Sequence, residues 1–493
     1  MKNQIVLISF SGILLGLAQQ PLGIGFVAWF GLIPWIYSFR YLESLKSWIF
    51  SFFIWGFVYH LTTIYWLAFN IGTSRGIAII SLFATIVFLS TMILPAALIM
   101  WFVKKRWTNY IWIFPIVWVV LEYFRSLGTL AFPWVSLANT QTQFILPIQI
   151  VEITGIYGVS FWIVTVNILI YFSVIRNMKY KVLSVIFFLT PWVIGMALYP
   201  TDDTKEKSVS VSVIQPNIPL DEKWDDELVS KHIDHLIELS IPEINDDVDL
   251  IVWPETATPV YLLKSGKKHL MRIQTYLEGS KTTILSGIPH YDHVDKKIES
   301  YNSITMFNSD EVFGVYKKIQ LVPMAEYVPL SGVFPQLSEL NFGQANFTRG
   351  ETFTTFPVAD GKIGAVVCFE STIPQLIRHF VRAGAGIIAI VTNDGWYENP
   401  PEPQQHAKQA IFRAIENRKP VIRSANTGLS MIIDPTGNIR KSSRLNEEIV
   451  FNTQVYFHSY VSFYTKWGDI FAQFHLALLT GIILFLTGRK IHV

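Results

Sequence analysis

The chain has 493 residues, of which 51% are hydrophobic and 15% charged, with a mean hydropathy of +0.37. That is too apolar for an ordinary soluble protein and too charged for membrane spans alone. A formal net charge of +2 gives no general case for nucleic-acid binding, and a single cysteine excludes both a disulfide framework and a multi-thiolate zinc site.

Apolar runs of spanning length occupy residues 5–18, 24–38, 48–69, 77–103, 110–124, 148–174, 182–199 and 470–487, which predicts eight transmembrane helices. The first run follows Met1-Lys2 and precedes Ala18-Gln19-Gln20, so it also reads as a secretory signal peptide. Its removal would leave every later segment in place. Orientation comes from the short connections, since Lys and Arg collect on the cytoplasmic side. With the N-terminus inside, the inner segments hold Lys2, Arg40 and Lys46, Lys104-Lys105-Arg106, Arg176, Lys179 and Lys181, and Arg489 and Lys490. The opposite short loops hold only Arg75 and Arg125. The expected organisation is seven helices over 1–200, an outer soluble domain over 201–466, and an eighth helix with a cytoplasmic tail over 467–493.

Glu122 and Arg125 stand three apart at the end of the fifth run, on one face of a helix end. They either pair with each other and pin that end or meet a lipid headgroup. No matched pair of Gly/Pro-broken helices and no ionisable relay is evident within the apolar runs, which weakens a transporter reading.

From Ser208 the pattern changes to strand-length apolar runs alternating with helical stretches. Strands are predicted at 209–214, 250–253, 283–288, 303–307, 363–367, 387–392 and 421–423, helices at 225–239, 373–382 and 404–417, and a hairpin at 430–440. This is an α/β domain, and α/β folds put chemistry at strand ends. After the second strand comes Glu255, in Trp253-Pro254-Glu255; then Lys318, in Tyr316-Lys317-Lys318; then Cys368, in Val367-Cys368-Phe369-Glu370. Ser371-Thr372 and Pro374 look like a helix start, which would set the thiol near a helix N-terminus and favour thiolate.

Each of these has a plain alternative. A lone cysteine is commonly an inert buried hydrophobe, Glu255 would serve as a helix cap, and Lys318 as a solvated surface residue. Together they supply a base, a cation and a nucleophile, the set that thiol acyl chemistry requires. His406 and Arg423 stand in contexts that helix packing and core hydrogen bonding explain equally well.

The three segments, in this order, resemble the catalytic signatures of the nitrilase superfamily. Asn393-Asp394-Gly395-Trp396, Gln405-His406, the stretch from Arg423 to Gly428 and Asp434-Pro435-Thr436-Gly437 resemble that superfamily's later segments. With the membrane frame and Phe132-Pro133-Trp134, nearly the whole chain is similar to the bacterial apolipoprotein N-acyltransferases. The resemblance implies an αββα sandwich facing the periplasm, anchored in the inner membrane, with Glu255, Lys318 and Cys368 as a catalytic triad. It implies an acyl chain taken from a phospholipid, commonly phosphatidylethanolamine, onto Cys368 as a thioester and passed to the α-amino group of a lipoprotein's diacylglyceryl-cysteine. It implies no cofactor, no metal and no nucleic-acid partner, and it places Trp224, Glu326, Phe369, Glu370 and Trp396 around the active site. Met324-Ala325 stands before Glu326 where the family often has Phe-Gly, and Phe369 stands where Tyr is common, which bears on the shape of the acyl pocket. Two other readings are a membrane-tethered amidase with the same triad, and a transporter carrying an outer binding domain.

Overall fold

The computed structural model describes residues 2–176, 178–199, 207–245, 247–329, 346–397 and 401–488. The chain forms two compact units: Met1–Phe69, Arg75–Pro200 and Trp467–Val493 make one, and Asn70–Ser74 with Thr201–Lys466 the other.

Five helices of the first unit are long and apolar enough to cross a membrane: Leu45–Phe69, Arg75–Lys104, Ile156–Ile175, Met178–Leu198 and Ile470–Thr487. The sequence reading of eight is therefore corrected among the described residues. The apolar helix Asn3–Gln19 is shorter than these. The run at 24–38 breaks into a 3-10 turn, Gly25–Trp29, and the helix Ile33–Ser38. The run at 110–124 likewise becomes a 3-10 turn, Tyr110–Ile113, and the 12-residue helix Phe114–Arg125. In both cases a proline, Pro34 or Pro115, sits in the first helical turn, where its missing N–H costs nothing and a new helix starts. Twelve residues rise only about 18 Å, well short of a hydrocarbon core of about 30 Å.

The second unit contains two six-stranded sheets. The first is built from β1 (Ser208–Gln215), β2 (Leu250–Val252), β3 (Thr283–Val294), β4 (Lys297–Phe307), β5 (Val312–Lys317) and β12 (Ile449–Tyr456), in the order β12-β1-β2-β3-β4-β5. The second runs β11-β10-β9-β8-β7-β6, from β6 (Thr355–Val358), β7 (Gly361–Val367), β8 (Ile387–Thr392), β9 (Val421–Ala425), β10 (Met431–Ile433) and β11 (Ile439–Ser442). β1, β2 and β3 are parallel neighbours, as are β7, β8 and β9.

The parallel strands are buried on both faces and read as unbroken β-branched runs, which is what such strands require. Helices Val229–Ser240 and Lys267–Leu277 lay Ile233, Leu236, Ile273 and Leu277 against Ile251, Ile284 and Phe307 of the first sheet. Helices Pro374–Arg382 and Glu402–Asn417 pack on the second sheet, and β1, β3 and β4 face β9, β8 and β7 across the middle. The layers are helix, sheet, sheet, helix. Glu255 follows β2, Lys318 follows β5, Cys368 follows β7, and Asn393 and Asp394 follow β8.

Candidate active site

Glu255 sits in a turn that leaves β2 through Pro254 and passes Thr256 in the left-handed region, at φ 47°. Its carboxylate is buried and held at both oxygens: Oε1 accepts from Asn302 Nδ2 at 2.7 Å, and Oε2 from the Asn393 N–H at 2.8 Å. Burial raises its pKa above the ordinary glutamate value and Glu326 adds to the rise, whereas Lys318, Asn302 and Lys223 oppose it. The turn lies directly on β3. A Cβ at Gly287 would stand 2.6 Å from Glu255 Cα and 2.7 Å from Pro254 O, so only glycine admits the approach. Gly287→Ala is therefore expected to displace Glu255 and to destabilise the protein by about 1–3 kcal/mol. Chemical unfolding, together with reactivity of Cys368, checks this; wild-type values of both would refute it.

Lys318 is 1% exposed and donates from Nζ to Glu326 Oε1 at 2.8 Å. The same oxygen accepts from Asn302 Nδ2 at 3.0 Å, and Glu326 Oε2 accepts from the Val322 N–H at 2.8 Å. Burial pulls the Lys318 pKa down, but the carboxylates of Glu326 and Glu255, with smaller contributions from Cys368 and Glu370, more than offset it. The net shift is upward, and the group stays an ammonium. Only one of its three N–H donors is committed to Glu326 among the described bonds, so donors remain for a second oxygen.

Cys368 ends β7 with φ 50°, a conformation that costs an L-residue about 1–2 kcal/mol. Strain of this kind persists only where its surroundings enforce it. The expectation of a helix-stabilised thiolate is corrected. The residues after Cys368 form a 3-10 turn, Cys368–Thr372, and the helix begins only at Pro374. Burial, then the Glu255 carboxylate, push the thiol well above its ordinary pKa, with Lys318 and the Thr392 hydroxyl pulling the other way. Desolvation outweighs the dipole of so short a turn, so the resting group is a thiol that needs a base.

Glu370 ties these pieces together. Its Oε1 accepts from Tyr316 Oη at 2.7 Å, from the Ile319 N–H at 2.7 Å and from the Gln320 N–H at 3.0 Å, and its Oε2 accepts from the Val367 N–H at 2.9 Å. One buried side chain thus locks the segment carrying Lys318 to the turn carrying Cys368. Phe369 is buried beside it. Trp224 is 44% exposed at the end of the short helix Leu220–Lys223. Trp396 accepts from the Ile71 N–H at 2.9 Å, with Gly72 packed against its ring. Glu122 and Arg125 belong to the other unit. Both are buried there, 3.5 Å apart, and Glu122 Oε1 accepts from Trp118 Nε1 and from the Leu137 N–H, each at 2.9 Å. The pair pins a helix end and its following loop.

Two residues near Glu255 carry no sign in the sequence. Asn302 bridges Glu255 and Glu326 from inside β4. Lys223, 1% exposed, donates to the Glu255 carbonyl at 2.9 Å, and burial lowers its pKa to about 8. Cys368, Asp394 and His406 also bring one ligand-type atom each within 4.8 Å of one another. Arg423 Nη2 already donates to Asp394 Oδ2 at 2.8 Å, so a fixed cation occupies the carboxylate that a metal would need.

Comparison with known proteins agrees with this geometry. Residues 11–169 match the family model described as apolipoprotein N-acyltransferase N-terminal domain, and residues 210–459 the one described as carbon-nitrogen hydrolase. Among solved structures, the carbon-nitrogen hydrolase from Helicobacter pylori G27 is similar with a TM-score of 0.39 and 16% identity, over 58% of this chain and 96% of that one. A protein from Thermotoga maritima named apolipoprotein N-acyltransferase is 26% identical over 96% of this chain and 91% of its own length. A protein of the same name from Geobacter metallireducens is 32% identical over 96% of this chain and 93% of its own length. A likeness of that extent, running through the membrane unit and the two-sheet domain alike, makes the chain a member of the apolipoprotein N-acyltransferase family.

Proposed function

We propose that this protein N-acylates lipoproteins, moving an acyl chain from a phospholipid through Cys368 to the α-amino group of the N-terminal diacylglyceryl-cysteine. The observation that carries the chemistry is a buried, protonated thiol under the joint influence of a glutamate and a lysine. Glu255 takes the thiol proton as sulfur attacks the ester carbonyl carbon, and Lys318 donates to the oxyanion that forms. Collapse breaks the ester C–O bond, and the departing lysophospholipid oxygen takes the proton back from Glu255. In the second half the amine attacks the thioester, Glu255 accepts its proton, and the thiol is regenerated. Glu326 and Glu370 act as positioning residues, and phosphatidylethanolamine is the proposed donor.

Two further statements belong to the same reading. The short apolar pieces at 3–19, 25–38 and 110–125 complete the membrane frame begun by the longer helices. The Lys/Arg asymmetry of the short connections sets both termini in the cytoplasm of a bacterium and the two-sheet domain on the periplasmic side of its inner membrane. Donor and acceptor would then arrive laterally, with their tails already in hydrocarbon.

The test uses the full-length protein in bilayers with phosphatidylethanolamine carrying a tagged acyl chain. Mass spectrometry is expected to find the tagged acyl group as a thioester on Cys368, absent in Cys368→Ser and released on adding a diacylated lipopeptide. Failure of Cys368 to take the label, or release to water at the same rate with and without the lipopeptide, would overturn the reading.

A further inference from the structure

Behind Cys368, on the side away from Lys318 and Glu255 in the hydrogen-bond network, lies a second polar cluster that the mechanism above does not use. His406 projects from helix Glu402–Asn417 and is 1% exposed. Its Nε2 lies 3.1 Å from the carbonyl oxygen of Cys368 and 2.9 Å from Ser371 Oγ, and Ser371 Oγ itself donates to the Cys368 carbonyl at 2.8 Å. On the other side, His406 Nδ1 lies 2.9 Å from Asp394 Oδ1 and 3.1 Å from Arg423 Nη2. Asp394 is fixed in turn by Thr392 Oγ1, which donates to Oδ1 at 2.9 Å, and by Arg423 at Oδ2. Gly428 makes room for that carboxylate, since a Cβ there would stand 2.1 Å from Asp394 Oδ2.

We propose that His406 is a positioning residue for the nucleophile: its Nε2–H, with the Ser371 hydroxyl, grips the Cys368 carbonyl and so holds the left-handed turn that presents the thiol. The inference rests on Cys368 being the nucleophile assigned above. A carbonyl oxygen only accepts, so its two close neighbours must both be donors, which fixes hydrogen on Nε2. Two donors on one carbonyl are the kind of over-determination that a strained residue needs. The anchor reaches back through Asp394 and Arg423 to β8 and β9, the rigid centre of the second sheet. Glu402, whose Oε1 lies 3.9 Å from Nδ1, is the other ionisable group facing the ring.

The test compares wild type, His406→Ala, His406→Gln and Ser371→Ala as full-length protein in bilayers. Acyl-enzyme formation from tagged phosphatidylethanolamine is followed alongside alkylation of Cys368 by iodoacetamide, which needs no lipid. His406→Ala is expected to lower the maximal acylation rate by about 10- to 100-fold, with the lipid concentration for half-maximal rate little changed, because the attacking atom and not the lipid site is displaced. Alkylation should slow in parallel. His406→Gln, whose terminal amide replaces the Nε2 donor, should recover most of both rates, and Ser371→Ala should show a smaller fall of the same kind. If His406→Ala does not fold, Ser371→Ala and His406→Gln still decide: unchanged rates in Ser371→Ala, or no activity in a folded His406→Gln, overturn the proposal. A fall confined to lipid affinity also overturns it. If wild type takes no label from phospholipid while alkylation follows the expected order, the positioning role stands and the acyl-transfer reading falls.

Discussion

Glu255→Gln is expected to slow acyl-enzyme formation at Cys368 by about 10²–10⁴-fold, the range that a positioned general base contributes. The substitution keeps the size and one of the two acceptor oxygens. That oxygen retains the Asn393 N–H, and the new amide N–H₂ faces Asn302, whose own Oδ1 has no partner among the described residues and can turn to accept it. The fold should therefore survive while the proton acceptor is lost. The pH profile separates this from a packing defect. In wild type the working base is the ionised carboxylate, so the rate rises with pH through the Glu255 pKa, at a midpoint above the ordinary value of 4.5 because burial raises it. In Glu255→Gln that limb should vanish, and the residual rate should climb only as hydroxide ionises the thiol directly, later than for an ordinary cysteine. Rapid-quench labelling with tagged phospholipid across pH measures both limbs. A variant that labels at the wild-type rate, or keeps the acid limb, would remove Glu255 from the mechanism.

The three central residues were legible because each follows a strand whose apolar run stands out, and because their order matches a known superfamily. Their surroundings were not, for reasons that differ from one residue to the next. Asn302 lies in β4, where one polar residue reads as belonging to a solvated face; its partner Glu255 is brought near only by the pairing of β3 with β4 and the turn against β3. Lys223 follows Asp221 and Glu222, which look like a solvated charge cluster, yet its ammonium turns inward. The edge strand β12 carries Asn452, Thr453 and Gln454 and is mostly exposed, so no apolar run announces it; its pairing along the whole of β1 is a tertiary fact. The helix Lys267–Leu277 and strands β5 and β6 also went unpredicted. The helix count failed where a proline restarts the backbone inside a run that hydropathy alone treats as continuous. His406 and Asp394 were visible as residues, but an imidazole's role depends on what lies at each ring nitrogen, which no spacing reveals.

Removing the other charge should do more damage to the protein as a whole. Lys318→Met is expected to lower acyl-enzyme formation by about 10²–10³-fold, the usual cost of deleting one donor to a developing oxyanion. It should also destabilise the folded state by about 3–5 kcal/mol, because Glu326 and Glu255 are left buried without the ammonium that offsets their charge. The two losses have different signatures. Lys318 is the largest influence holding the Glu255 pKa down against burial, so in the variant that pKa moves further up. A carboxyl whose folded pKa exceeds its unfolded one binds more protons when folded, so it favours the fold at low pH and loses that contribution as pH rises through the folded pKa. Lys318→Met should therefore lose stability with rising pH more steeply than wild type, starting from the ordinary glutamate range. Lys318→Arg should restore much of the stability, since a cation again meets Glu326, but little of the rate, because a planar fork on a longer arm cannot place its donor where Nζ stands. Chemical unfolding at several pH values, read beside labelling kinetics, distinguishes these outcomes. Wild-type labelling in Lys318→Met would end the oxyanion assignment, and a pH slope no steeper than wild type would end the claim that this lysine sets the charge state of Glu255.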